Sequence, residues 1–313
     1  MPKIAFDAAT EIPDLMSKTI LITGGTAGLG YQTALSFSAH NPGHIFFTGR
    51  SEKSARKLIE EVNTKFPNVP IDFVKCDLAS LAAVNDAARQ VMSKTSRLDI
   101  FMANAGVMAL PPGLTTDGYE AQFGTNHVGQ ALLVQLLTPL MQATAESHKD
   151  VRVVWNTSLG YQFHPKGGII FDKVKTTQED IAPVLAMWTR YGQSKLANIL
   201  YARAYAKHNP SITSVSIHPG VSATGLVTNL SFWQRAFIYS TTIGSMISPE
   251  QCAWNQQWAA TAPLGTGDRQ IESGRYYEPV GVKGQLKGEA GNDELAEKLW
   301  KWTQEELKGY LLQ

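Results

Sequence analysis

The sequence predicts a doubly wound α/β fold, a parallel sheet covered by helices on both faces, and three observations predict it. Six short β-rich runs alternate with longer stretches of helical period, and a glycine-rich turn follows the first run. The 313 residues, 43% hydrophobic and 18% charged, supply an ordinary core for one large domain. The runs are 19–23 (TILIT), 44–48 (HIFFT), 71–75 (IDFVK), 98–102 (LDIFM), 151–155 (VRVVW) and 213–217 (TSVSI), rich in β-branched and aromatic residues. Helical period fills the gaps, for example over 54–66 and 82–92. Parallel neighbours need a crossover of helical length, so the alternation implies a parallel sheet.

No Pro/Ser-rich linker, break in composition or fixed-period repeat divides the chain, which predicts one domain over 1–313 with its core over about 18–281. Near the end, Leu295, Leu299, Trp302 and Glu306 recur at helical spacing, with Trp300 and Leu307 close by. This predicts an amphipathic helix within 292–309 that docks on the domain; a contact between copies is the rival role.

A formal net charge of +1 and a pI near 7.8, with no Lys/Arg run, argue against nucleic acid as a partner. Cys76 and Cys252 are far apart and lack metal-ligand spacing, so neither a disulfide framework nor a zinc site is expected, and a reducing compartment fits. Residues 1–17 carry Asp7, Glu11 and Asp14 and no apolar block, unlike a secretory signal. The most apolar stretch, 232–247, is interrupted by Gln234 and Arg235 and is too short to span a bilayer. A soluble, cytoplasmic protein is expected.

The glycine-rich turn is Thr23-Gly24-Gly25-Thr26-Ala27-Gly28-Leu29-Gly30. Gly24 would let the chain leave the first strand tightly, Gly28 would admit a pyrophosphate close to the backbone, and Gly30 would let the next helix pack on the sheet. The helix N-terminus then faces the anion with free N–H groups. Downstream, Tyr191 and Lys195 are four apart and share a helix face, so the ammonium can lower the phenol's pKa and make it an acid or base near neutrality. Such a pair is common on solvated helices. Its order along the chain is what matters: the turn comes first, then Asn104-Ala105-Gly106 after the fourth strand, Ser158 after the fifth, and the Tyr/Lys pair on the next helix.

With its Gly-x-x-x-Gly-x-Gly spacing, this ordered set resembles the short-chain dehydrogenase/reductase superfamily, over nearly the whole stretch from about 18 to 281. The resemblance implies a Rossmann-type fold and a nicotinamide cofactor held by Gly24, Thr26, Gly28, Leu29 and Gly30. It also implies that Asp77, followed by Leu78, accepts from the adenine amino group, and that Asn104, Ala105 and Gly106 stabilise the sheet and pass by the cofactor. Asn126 in Thr125-Asn126-His127-Val128-Gly129 matches the Asn that kinks a helix and holds a water of the proton relay. Ser158, Tyr191 and Lys195 fill the catalytic positions. His218-Pro219-Gly220-Val221 with Thr224 matches the element whose Thr bonds the nicotinamide amide. Each residue also has a plain role: Asp77 as a helix N-cap, Asn104 as a turn residue, Asn126 as a buried amide satisfied by backbone.

After the second strand, Thr48-Gly49-Arg50-Ser51 offers a guanidinium and hydroxyls where an NAD site puts a carboxylate, so NADP(H) is the expected cofactor. Ser158 would hydrogen-bond a substrate carbonyl oxygen, Tyr191 would give it a proton, and Lys195 would hold the ribose hydroxyls and stabilise the tyrosinate. Asn126 and water would refill the proton.

Ser158 and Tyr191 lie 33 positions apart, a longer gap than in compact members, and the intervening residues hold 160–164, 167–171 and Trp188. The extension resembles that of retinol dehydrogenases and related carbonyl reductases, including fungal secondary-metabolite reductases, a branch that accepts bulky lipophilic carbonyls or alcohols. Residues 221–247, with Leu226, Leu230, Phe232, Trp233, Phe237, Ile238 and Tyr239, are expected to lid an apolar substrate, the plain alternative being core or a dimer face. His164 and His218 fall at no catalytic position of the family. The expectation is an NADPH-dependent carbonyl reductase acting on a lipophilic, aromatic or polycyclic ketone or aldehyde, with a specialised metabolic pathway as its setting; the family is often a homodimer or homotetramer, but no sequence feature sets the oligomeric state. An NADP-dependent alcohol dehydrogenase of retinoid or steroid type, or a catalytically silent cofactor-binding regulator, are the alternatives.

Overall fold

Alternation of side chains along the strands gives one sheet two cores. The computed structural model describes residues 6–182, 184–220 and 247–311. Strands β1 (Thr19–Ile22), β2 (His44–Gly49), β3 (Ile71–Lys75), β4 (Ile100–Ala103), β5 (Arg152–Asn156), β6 (Thr213–Ile217), β7 (Tyr276–Glu278) and β8 (Val282–Lys283) lie in the order β3-β2-β1-β4-β5-β6-β7-β8. All neighbours pair parallel except β7 with β8. The doubly wound α/β class predicted for the chain is the one observed.

Among the described residues the helices are α1 (Ala8–Glu11), α2 (Gly28–Ser38), α3 (Glu52–Lys65), α4 (Leu81–Lys94), α5 (Ala121–Phe123), α6 (Gly129–Ser147), α7 (Ala186–His208), α8 (Pro249–Thr261) and α9 (Asp293–Leu307). Leu21, Phe46, Phe101 and Val153 share one core with Val84 of α4, Leu133 of α6, Leu200 of α7 and Leu299 of α9. Ile20, Ile22, Phe47 and Met102, alternating with them, share the other with Phe37 of α2, Leu58 of α3 and Trp258 of α8. The period of two therefore sorts the helices to opposite faces. Strand order reverses between β1 and β4, and a crevice opens there beyond the carboxyl ends of the strands.

Local chemistry moves some boundaries from where the sequence pattern puts them. The fourth strand begins at Ile100 rather than 98, because the Asp99 carboxylate accepts from both Nε and Nη2 of Arg97 at 2.7 Å and from the Thr19 amide at 2.8 Å. α3 starts at Glu52 because Ser51 caps it by accepting from the Ser54 amide, and α4 starts at Leu81 because Ser80 accepts from the Ala83 amide. β7 and β8 hold three and two residues and carry too little pattern to predict.

α9 buries Leu295, Leu299, Thr303 and Leu307, and its Trp300 stacks on Tyr201 of α7 at 5.2 Å between centroids and on His208 at 4.5 Å. Among the described residues no helix is long and apolar enough to cross a membrane. No three His, Cys, Asp or Glu side chains there cluster as metal ligands would.

Candidate active site

The crevice at the strand-order reversal is a cavity of about 480 Å³. Ten of the residues predicted to hold the cofactor line it: Gly24, Thr26, Gly28, Leu29, Arg50, Asp77, Leu78, Asn104, Ala105 and Gly106. Gly24 and Gly28 take φ of +68° and +57°, where side chains are strained, and a Cβ on Gly30 would sit 2.5 Å from the Gly24 carbonyl oxygen. The floor is pinned by Thr23, whose hydroxyl donates to the Met102 carbonyl and accepts from the amides of Asn104 and Ala105. Asn104 adds a bond from Nδ2 to the Thr23 carbonyl at 2.7 Å. Asp77 accepts from the Ala79 amide, and the helix cap falls to Ser80. This cradle of glycines at the N-terminus of α2 fits a dinucleotide, since backbone N–H groups stay open to phosphate and no Cβ fills the space.

Tyr191 and Lys195 lie on α7, 7% and 5% exposed. Tyr191 and the Ser158 side chain meet at Gly160, where a Cβ would lie 2.9 Å from the Tyr191 ring and 3.3 Å from Ser158 Oγ. Lys195 Nζ sits 5.8 Å from the Tyr191 ring centroid and donates to the Asn156 carbonyl at 3.1 Å. A Cβ on Gly106 would lie 3.0 Å from Asn126 Oδ1 and 3.1 Å from Lys195 Nζ, so the cavity-lining backbone passes close to both.

Burial outweighs the Tyr/Lys coupling that the spacing suggests. The Tyr191 phenol is pushed up to about 12 by burial, with the Ser158 hydrogen bond opposing, and the Lys195 ammonium is pushed down to about 8. The expected lowering of the phenol is therefore absent, because both groups lose hydration and the ammonium, 5.8 Å from the ring centroid, does not offset that loss.

Asn126 is fully buried in a π-helical turn, Gly124–Val128, that joins α5 to α6. Its Oδ1 accepts from the Val107 amide at 2.7 Å, and its Nδ2 donates to the Val107 carbonyl and to Ser194 Oγ at 2.9 Å. Pro219 and Gly220 follow β6, with Gly220 at φ +97°; Val221, Thr224 and the lid residues up to 246 lie outside the described residues. His218 is buried and pushed down to about 4 by that burial, its carbonyl accepting from Asn255, and His164 bonds the Pro165 carbonyl.

Two features escaped the sequence. Asn156, ending β5, holds both Lys195 and Asn198 on its carbonyl and bonds Asn104 Oδ1 through Nδ2 at 3.0 Å, tying the two halves of the site. Met108, Ala109, Met187 and Trp188 form an apolar cluster with Tyr191, the Trp188 ring edge-on at 6.5 Å. Trp188 stands three residues before Tyr191 on one helix, a spacing that could have flagged it.

A short-chain dehydrogenase family model matches residues 18–160, stopping just past Ser158 where the extension begins. An uncharacterized oxidoreductase of Schizosaccharomyces pombe is 34% identical, covering 96% of this chain and 87% of its own. A short-chain dehydrogenase/reductase of Aspergillus calidoustus is 32% identical, covering 95% and 96%. Among solved structures, an uncharacterized protein of Mycobacterium paratuberculosis superposes with a TM-score of 0.69 at 23% identity, over 96% of this chain and 97% of that one. The two sequence relatives extend through the Tyr191 region that the family model leaves unmatched.

Proposed function

Because the chain belongs to the short-chain dehydrogenase/reductase superfamily, an oxidoreductase family whose fold binds a nicotinamide cofactor, we propose that it is an NADPH-dependent carbonyl reductase of bulky lipophilic or aromatic ketones or aldehydes. The observation that carries this is the buried Tyr191 phenol, kept neutral by burial beside the Ser158 side chain and set against an apolar wall. A phenol held near 12 keeps its proton at neutral pH and is ready to donate it. That state suits reduction, where an oxygen must be protonated, better than oxidation, where one must be deprotonated.

A nicotinamide held in the cradle would supply the hydride. Ser158 Oγ hydrogen-bonds the carbonyl oxygen and orients it, and Tyr191 Oη delivers the proton to that same oxygen. Lys195, still largely charged at pH 7, donates to the ribose hydroxyls and stabilises the tyrosinate. Asn126, through the Val107 backbone and Ser194, holds the relay turn in place, and turnover is expected to fall above about pH 8 as Lys195 discharges. Arg50 on the cavity wall provides the 2′-phosphate partner; the nearest carboxylate in sequence, Glu52, is engaged by Lys75 at 3.1 Å. Met108, Met187 and Trp188 give a flat, polarisable surface that suits an aromatic or polycyclic substrate.

A panel of small and large ketones, assayed by loss of NADPH or NADH absorbance, tests this. Turnover of aromatic ketones with NADPH preferred is the expected outcome. No carbonyl turnover, or a preference for NADH, overturns the activity or the cofactor assignment respectively.

A further inference from the structure

Arg190, the residue before Tyr191, is 1% exposed and faces Glu120, 0% exposed, with 3.3 Å between Nε and Oε1. Both charges give up hydration to meet, so such a pair needs further partners to be tolerated. The guanidinium has them: Nη2 donates to the Leu110 carbonyl at 3.0 Å and Nη1 to the Gln178 carbonyl at 3.4 Å. Leu110 lines the cofactor-sized cavity, and Gln178 belongs to the extension between Ser158 and Tyr191. The second oxygen of Glu120 accepts from the Phe123 amide at 2.7 Å, capping α5, which runs directly into the π turn that carries Asn126. The Glu120 amide donates to the Val174 carbonyl, again in the extension. Gln193 closes the group, donating to Gln178 Oε1 at 3.0 Å while accepting from the Ile170 amide at 2.9 Å.

One guanidinium thus joins the cavity loop, the extension and the Asn126 turn at the chain position next to Tyr191. We propose that Glu120 and Arg190 are positioning residues for proton transfer: without touching substrate or cofactor, they hold the Tyr191 phenol in register with the Asn126 turn and the cavity. The inference rests on Tyr191 being the proton donor. A planar fork suits the two carbonyl acceptors and the Glu120 carboxylate together, and a lysine, a point donor on a flexible stem, cannot serve all three.

Arg190→Lys and Glu120→Gln test it, with Tyr191→Phe as control and phenanthrenequinone as the probe ketone. Both pair variants are expected to melt lower yet stay folded, to bind NADPH with a Kd within about threefold of the parent, and to lose about tenfold or more in kcat. Their solvent deuterium isotope effect on kcat should rise, because the proton step is the one disturbed. Amide hydrogen exchange, which needs no turnover, should quicken at 107–114 and 121–128. A kcat and isotope effect unchanged within about twofold, with only the melting temperature lowered, overturn the proposal. Failure of both variants to fold also overturns it, by making the pair a requirement of folding. A Tyr191→Phe variant that still turns over strikes the proton-donor assignment instead, whereas an inactive Tyr191→Phe beside an unaffected Arg190→Lys strikes only the positioning pair.

Discussion

The two halves of the site are made from different materials. The half proposed to hold the cofactor, at the ends of β1, β2 and β4, is shaped by backbone: glycines with positive φ, a carbonyl 2.5 Å from where a Gly30 Cβ would be, and Thr23 fastening two amides. The half around Tyr191, proposed to face substrate, is backed by side chains brought from far along the chain, such as Tyr119 with Glu306, His127 with Thr303 and Arg190 with Glu120. A backbone-made site is damaged by adding atoms and a side-chain-made site by removing them, so the halves should fail in different observables.

The sharpest separation is Tyr191→Phe, which deletes one oxygen: kcat should fall by about 10³-fold while the NADPH Kd stays near the parent's. Stopped-flow turnover and fluorescence titration measure the two, and a parallel loss of affinity would merge the halves. Next is acid. His127 sits fully buried between Phe123, Tyr201 and Thr303, and burial pushes it from 6.5 down to about 3. The unfolded chain takes up this proton first as pH falls, so stability is intact above pH 6.5 and is lost between 6.5 and about 3, by about 1.4 kcal/mol per pH unit. His218, pushed down to about 4, adds to the same slope. Urea midpoints at pH 7 and pH 5 should differ less in His127→Gln than in the parent; an equal difference would remove His127 from the acid limb.

Gly30→Val should disrupt the cradle by overpacking, at about 1–3 kcal/mol in stability, and raise the NADPH Kd while leaving the relative KM of different ketones unchanged. Arg50→Asp exchanges a phosphate partner for a repulsive carboxylate and should move the NADPH/NADH ratio of kcat/KM by about 10²-fold toward NADH. An unmoved ratio places Arg50 outside the adenosine pocket. The smallest effect belongs to Trp188→Ala, expected to raise KM for a large aromatic ketone about tenfold and to spare a small one. Equal losses on both would make Trp188 packing alone.

This division explains what was legible in the sequence. Glycine spacing and strand period are local, and the positions of Gly24, Gly28, Asn104 and Gly106 around one cavity follow from them. The hydroxyl and ammonium of the Tyr191/Lys195 pair were also visible, but their electrostatics were not, since burial rather than spacing sets both proton affinities. Asn156 gave no signal because its part is played by a backbone carbonyl, which every residue owns. Nothing in the sequence around Glu120 and Arg190 marks them as interior; the extension bonds both, through Val174 and Gln178, and they end 0% and 1% exposed.

The His127–Thr303 hydrogen bond spans 176 residues of sequence, and α9 also supplies Glu306 to Tyr119 and Trp302 to Phe123. On the ribosome, the glycine cradle and the turn bearing Asn126 are synthesised early, yet the partner of the buried imidazole emerges last among these groups. At about 5–20 residues per second the turn waits on the order of ten to thirty seconds for α9. During translation the glycine turn and the Asn126 turn are therefore made well before Thr303, and the buried imidazole of His127 gains its hydrogen-bond partner only once α9 is made.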